Sequence, residues 1–310
     1  MTQFKPLAAA IGAMMLLGTS ASAYAMSTDV MYSTTGVGSG TSSLGYDVLG
    51  INEFDWQSSG DLTIQSAITV NGGATTLAAY FGTPGLAATG DIVTFDFHAQ
   101  ARLNDMLLPG GGSIAPATLD ASGTVGGNSG FEITTVLDAK ETAVVQLVFG
   151  VPVLAFTSLT GTTTWYHDTA SDSDVNLGTG FKNGTVIMTG SLGLTPGQLS
   201  TFTAGTGGST FLSTSITSYN TAYLQTDPAG NAPLVGATFD TLVKLINVAG
   251  GQAAAASVGE TIGNYTVAAG DQSFKADANS QFESVPEPGT LFLLGAGLLG
   301  LGGLARRKAA

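Results

Sequence analysis

Val93-Thr94-Phe95-Asp96-Phe97-His98-Ala99-Gln100-Ala101-Arg102-Leu103 alternates apolar and polar residues without a break over eleven positions. Successive side chains of a β-strand point to opposite faces, whereas a helix of 3.6 residues per turn would scatter the two classes around its axis. The stretch therefore predicts a half-buried antiparallel strand. Val93, Phe95, Phe97, Ala99, Ala101 and Leu103 face a core, and His98 projects outward beside Asp96, Gln100 and Arg102. A solvated sheet face is the favoured reading of that outer row, ahead of a ligand-binding one.

Working outward, the same class recurs. Tyr46–Ile51 reads as a first strand, Ser58-Ser59-Gly60-Asp61 as a turn, Leu62–Val70 as a second strand and Asn71-Gly72-Gly73 as a further turn. Phe131–Leu137 and Ala143–Phe149 read as strands joined by a charged turn at Lys140-Glu141. Val151–Leu159 is another apolar run, which Pro152 places at a strand start or edge, and Gly161–Asp168 is a strand running into an aromatic and acidic loop. Shorter segments follow as far as Phe282, with no long 3.6-residue amphipathic pattern and no internal repeat. Many short strands at roughly 10–15-residue spacing predict an all-β fold, an antiparallel β-sandwich or jelly-roll-like domain.

The two ends read differently. Lys5, the apolar run Leu7–Gly18 and the small-x-small steps Ala21-Ser22-Ala23 and Ala23-Tyr24-Ala25 predict a signal peptide over 1–25, cleaved after Ala25. At the other end Pro286 and Pro288 hold Glu287 in extended, exposed backbone. The uncharged run Leu291–Leu304 follows, then the basic cluster Arg306-Arg307-Lys308. At ~1.5 Å per residue that run reaches ~20–25 Å, short of a ~30 Å hydrocarbon core, and spans as a short transmembrane helix only with snorkelling or bilayer thinning. The basic cluster stays on the cytoplasmic side. The expected division is a signal peptide at 1–25, a secreted β-rich domain at 26–284 and a sorting tail at 285–310.

This tail resembles the PEP-CTERM sorting signal of Gram-negative bacteria in its Pro286-Glu287-Pro288 tripeptide, its Leu291–Leu304 run and its Arg306-Arg307-Lys308 cluster. The resemblance covers less than a tenth of the chain. It implies an exosortase partner, transient inner-membrane insertion, processing at or near the tripeptide and a setting of exopolysaccharide production. A permanent anchor is the alternative. Asn52–Trp56, Trp165–Asp168, Gly180–Thr185 and Phe274–Ser280 look like segments of the flocculation-associated PEP-CTERM proteins. That likeness implies an exopolysaccharide or cell-surface glycan as partner, and it carries no catalytic residues.

Composition narrows the chemistry. The chain has 9 Lys+Arg against 22 Asp+Glu; outside the two terminal segments 5 basic and 21 acidic residues remain, a net of −16. Such a surface repels nucleic acid and anionic membranes. With no cysteine, no disulfide framework and no thiol nucleophile are available. His98 and His167 are the two histidines; they form no zinc-binding pair, and no Gly-x-Ser-x-Gly elbow is present. No catalytic residue is assigned. Asp168, Asp172 and Asp174 gather in one loop with Ser and Thr hydroxyls, the oxygen-rich donor set of Ca²⁺. The loop lacks the central glycine and terminal glutamate of an EF-hand, so a solvated acidic turn is favoured and no cofactor is required. Trp56, Trp165 and Tyr166 offer flat faces for sugar stacking, against a favoured role as core anchors. The expected function is a non-enzymatic, exported component of the exopolysaccharide matrix promoting cell aggregation. The alternative is an extracellular carbohydrate-active enzyme or binding module.

Overall fold

Residues 93–103 lie inside a sixteen-residue strand, Ile92–Leu107, in which Val93, Phe95, Phe97, Ala101 and Leu103 are buried as the alternation predicts. The structure is a computed structural model that describes residues 30–38, 45–125, 128–195, 201–203, 207–226, 234–246 and 256–282. The signal peptide with Ala23 and Ala25, the tripeptide Pro286-Glu287-Pro288, the apolar run and Arg306-Arg307-Lys308 lie outside the described residues. Of the described residues 63% are strand and 3% helix, so the class is all-β.

Eight long strands make the body: β1 Glu53–Val70, β2 Ile92–Leu107, β3 Glu132–Val148, β4 Val151–Asp168, β5 Thr185–Leu194, β6 Gly207–Tyr219, β7 Thr238–Ile246 and β8 Gln272–Phe282. Each pairs antiparallel with the next in sequence from β1 to β8. β8 then pairs back with β1, Phe274 opposite Leu62 and Gln281 opposite Glu53. The sheet thus closes on itself as an up-and-down barrel, with the short strands Gly73–Thr76 and Thr201–Thr203 attached. This corrects the expected sandwich or jelly roll. Closure satisfies the backbone groups that an open sheet would leave at its edges.

Two expected turns are also corrected. Ser58-Ser59-Gly60-Asp61 lies within β1, where the register shifts between Trp56 and Asp61 as at a β-bulge. Lys140-Glu141 lies within β3, which runs straight through it with Phe95 opposite Glu141. A pair of charges suggests a turn, but in a barrel strand one of them can point out and the other in. Lys140 does point out, toward Asp96 at 3.4 Å, and Glu141 is buried. The turn at Asn71-Gly72 is as expected: φ is +50° and +83°, the left-handed pair of a type I′ hairpin.

The lumen is filled by two apolar clusters. One gathers Phe54, Trp56, Leu103, Met106, Ile133, Trp165, Phe239 and Phe282 near one end; the other gathers Leu62, Ile64, Phe95, Phe97, Leu154, Leu212 and Phe274 toward the other. At the first end a small sheet of Val48–Ile51, Val30–Tyr32 and Leu224–Thr226 covers the core. There the Tyr32 hydroxyl shares a hydrogen bond with His167 Nδ1, and burial holds His167 down at about 4. At the second end the short helix α1, Leu77–Gly82, starts on a Thr76 cap that accepts from the Ala79 amide at 3.1 Å, and buries Leu77 and Tyr80.

Outward positions carry Thr160, Thr162, Thr164, Thr189, Ser191 and Thr217 instead. An apolar lumen and a hydroxyl-bearing outer face invert the pattern of a lipid-spanning barrel. Among the described residues no helix is long and apolar enough to cross a membrane. Residues 28–282 form one compact unit that contains every ladder of the barrel.

Candidate functional site

The carboxylates expected in one loop come together only in part. Glu132 opens β3 and stands opposite Asp168, which ends β4, and the loop after β4 folds Asp172 onto both. One carboxylate oxygen from each of Glu132, Asp168 and Asp172 lies within 4.8 Å of the others. Asp174 stays outside this group: its Oδ1 accepts from the Asn176 amide at 2.8 Å and caps its own turn. Among the described residues Glu132, Asp168 and Asp172 are therefore the set that could hold a hard cation.

The set is already supplied with donors. Ser173 Oγ donates to Glu132 Oε2 at 2.6 Å and the Ser173 amide to Oε1 at 3.1 Å. Asn183 Nδ2 reaches both oxygens of Asp172 at 3.1 Å, and the Ala170 amide donates to Asp168 Oδ1 at 2.9 Å. Glu132 is closed to solvent, and burial raises its pKa against the opposing pull of Ser173, the Asp172 and Ser173 amides and Arg102. Arg102 itself pairs with Asp120 at 2.8 Å, and Ser171 ties the acidic loop to Asp120 at 2.7 Å. The arrangement pins the loop to the barrel rim.

Glu132 was missed in the sequence, yet a signal for it existed. The β3–β4 hairpin turns at Phe149-Gly150, and counting equal steps back from Val148 and Val151 leads, past one bulge, to Glu132 and Asp168. Reading Lys140-Glu141 as a turn broke that count.

The aromatic residues do not form one platform. Trp56 and Trp165 are 3% and 2% exposed, inside the lumen, and meet edge to face with centroids 4.9 Å apart at 77°. Trp56 Nε1 donates to Ser280 Oγ at 2.8 Å. Both rings line an internal cavity of about 60 Å³ together with Thr135, Thr163, Thr214 and Thr241. Tyr166 points to the opposite face of β4 and is half-buried. Closed to solvent, neither tryptophan can stack on a sugar ring in this conformation, which corrects the platform reading for Trp56 and Trp165.

The outer row of β2 is covered at His98 and Gln100, while the Asp96 side chain in the same row stays 38% exposed. The hairpin Thr261–Ile262/Tyr265–Thr266 lies over the covered part, and Tyr265 stacks on His98 at 4.4 Å and 6°. His98 Nδ1 bonds Asp138 at 2.6 Å and Nε2 meets the Gln65 amide at 2.9 Å. Asn264 extends the network to Asp138 and Lys182. The His98 bond, more than any other contact, holds Asp138 below the usual carboxylate range. Both ring nitrogens of His98 are thus engaged, Nδ1 by Asp138 and Nε2 by Gln65.

Under the same segment Lys275 Nζ reaches Asp61 Oδ1 at 2.6 Å, the two side chains 3% and 0% exposed. Burial raises Asp61 to about 6 in spite of Lys275, and its Oδ2 has no hydrogen-bond partner among the described residues.

Comparison with known proteins adds one match. Residues 284–308 fit the family model of the PEP-CTERM protein-sorting motif. That motif is the recognition signal of exosortase and implies export across the inner membrane to the cell surface. No curated protein and no solved structure matches the chain.

Proposed function

We propose that this chain, which carries an exosortase sorting signal at 284–308, is a non-enzymatic protein of the cell surface and exopolysaccharide matrix that promotes cell aggregation. The sorting motif is the observation that carries the reading, because it delivers whatever stands before it to the outside. The body supports it. A closed barrel with a filled lumen, a hydroxyl-rich outer face and a net charge near −16 is a stable, hydrated surface suited to contact with glycans. The reading needs no cofactor. A Ca²⁺ ion at Glu132, Asp168 and Asp172, with Asp174 excluded, would have to displace the Ser173 and Asn183 donors.

A carbohydrate-active enzyme is the second reading, favoured by the approach of Glu132 and Asp168 across the β3–β4 ladder. Retaining glycosidases hold their carboxyl pair ~5–5.5 Å apart around a substrate. Burial of Glu132 beneath Ser173 weighs against it.

Deleting Pro286–Ala310 tests the first reading: surface delivery and aggregation are lost while the barrel stays folded. Unchanged aggregation in that strain counts against it. Sugar-polymer cleavage by the isolated barrel that disappears in Glu132→Gln would establish the second reading instead.

A further inference from the structure

The β3–β4 hairpin outgrows its neighbours. Among the described residues β2 pairs with β3 as far as Val144, the segment before it stays bonded to β3 at Val145 through Asp91 and Gly90 and at Leu147 through Thr89, and the strand Thr201–Thr203 leaves β4 at Leu154. The hairpin runs on through Gln146 opposite Val153 and Leu147 opposite Pro152 to a last pair, Val148 opposite Val151, which lies beyond the Thr89 contact. At ~3.3 Å per residue the Val148–Val151 pair and the Phe149-Gly150 turn reach ~5 Å past that contact.

Its residues are the wrong ones for an idle turn. Phe149 is 103% exposed, with Leu147, Val148 and Val151 at 43%, 44% and 49%. Phe149 and Gly150 occupy the two left-handed positions of a two-residue turn, φ +52° and +80°. Asn, Asp or Gly fill such positions readily, whereas phenylalanine pays a local conformational penalty there. The ring gains no burial from this chain in return. No charged residue occurs from Thr142 to Tyr166 in a protein otherwise rich in acid groups.

We infer that this tip is a membrane-docking element that inserts Phe149, flanked by Leu147, Val148 and Val151, into an uncharged lipid surface. Two arguments choose lipid over a second protein. Four side chains at these exposures present on the order of 400 Å², about half of the ~800 Å² per partner of a stable protein interface. They also stand on a convex apex, which a fluid acyl layer can receive and a flat protein face cannot. The net acidic charge and the lack of lysine or arginine at the tip exclude attraction to anionic headgroups and leave apolar insertion as the driving force. Phe282, which ends β8, pairs with Phe239 among strand ends at the opposite end of the barrel. The inference goes beyond the matrix reading and does not depend on a glycan.

The test is flotation of residues 26–282 with phosphatidylcholine vesicles, beside Phe149→Asn and the double variant Val148→Thr/Val151→Thr. The wild type is expected to float, indifferently to salt. Phe149→Asn, a residue suited to the turn, should weaken binding roughly tenfold or more with no fall in melting temperature. Absence of wild-type flotation, or equal flotation of Phe149→Asn, overturns the inference. So does concentration-dependent dimerisation that Phe149→Asn abolishes while flotation is absent, which would assign the tip to a second copy.

Discussion

Lys275 and Asp61 form an ion pair that water barely reaches, and a buried pair is costly mainly when half of it is removed. Asp61→Ala strands the ammonium and should cost ~3–5 kcal/mol in denaturant unfolding. The double exchange Asp61→Leu/Lys275→Met should recover most of it, because desolvation and attraction leave together. Glu141 poses a related problem inside the lumen, where Thr210 Oγ1 donates to it at 3.3 Å and burial raises it from 4.5 to about 8. A carboxyl raised on folding binds more protons in the folded than in the unfolded state across that window, so stability falls as pH rises through it. Asp61 acts in the same sense between 3.8 and about 6. His167, lowered from 6.5 to about 4, acts in the opposite sense: its contribution is lost as pH falls through that range. Above pH 6.5 the Glu141 slope remains. Glu141→Gln should therefore flatten the melting-temperature profile from pH 6.5 to 8, raise the midpoint at pH 9 and leave it nearly unchanged at pH 4. Parallel profiles for the two proteins would refute this assignment.

At the scale of the element, the β3–β4 ladder shows what local pattern can and cannot disclose. The run 93–103 announces its strand because both residue classes follow a period of two. Val151–Leu159 and Gly161–Asp168 read as separate pieces because Gly161 looks like a break, yet they are one strand. Gly161 is there for space: a Cβ would stand 2.4 Å from Asp138 O and 2.7 Å from Ala139 Cα, both backbone or next to it. Gly161→Ala should thus destabilise by ~1–3 kcal/mol, whereas Gly82→Ala, with open space around it, should be neutral or slightly stabilising. Equal effects would show that the strands do not approach as closely as described. The candidate site was half legible for the same reason. Asp168 and Asp172 are near in sequence, but Glu132 joins them only through a register that a misread turn conceals.

For the whole molecule, closure was the least legible feature. β1 meets β8 across some two hundred residues, as in the hydrogen bond of Thr63 with Ser273, and nothing in either segment's own pattern names the other. Alternation identifies a sheet with one buried face; it does not distinguish two facing sheets from one that curls shut. If the ring is closed, ending the chain before Gln272 unpairs β1 and β7 together and should abolish cooperative unfolding, while ending it at Phe282 should leave near-ultraviolet dichroism and unfolding intact. The C-terminal sorting signal was the more legible part, because it is read as linear sequence and needs no fold. The most direct measurement is the intact mass of the protein recovered from the cell surface, in cells with and without their exosortase. The account predicts a chain beginning at Met26 and ending near Pro286–Pro288 when the enzyme is present, and one retaining the tail in the membrane fraction when it is absent; a full-length mass in the cytosol of both would contradict it.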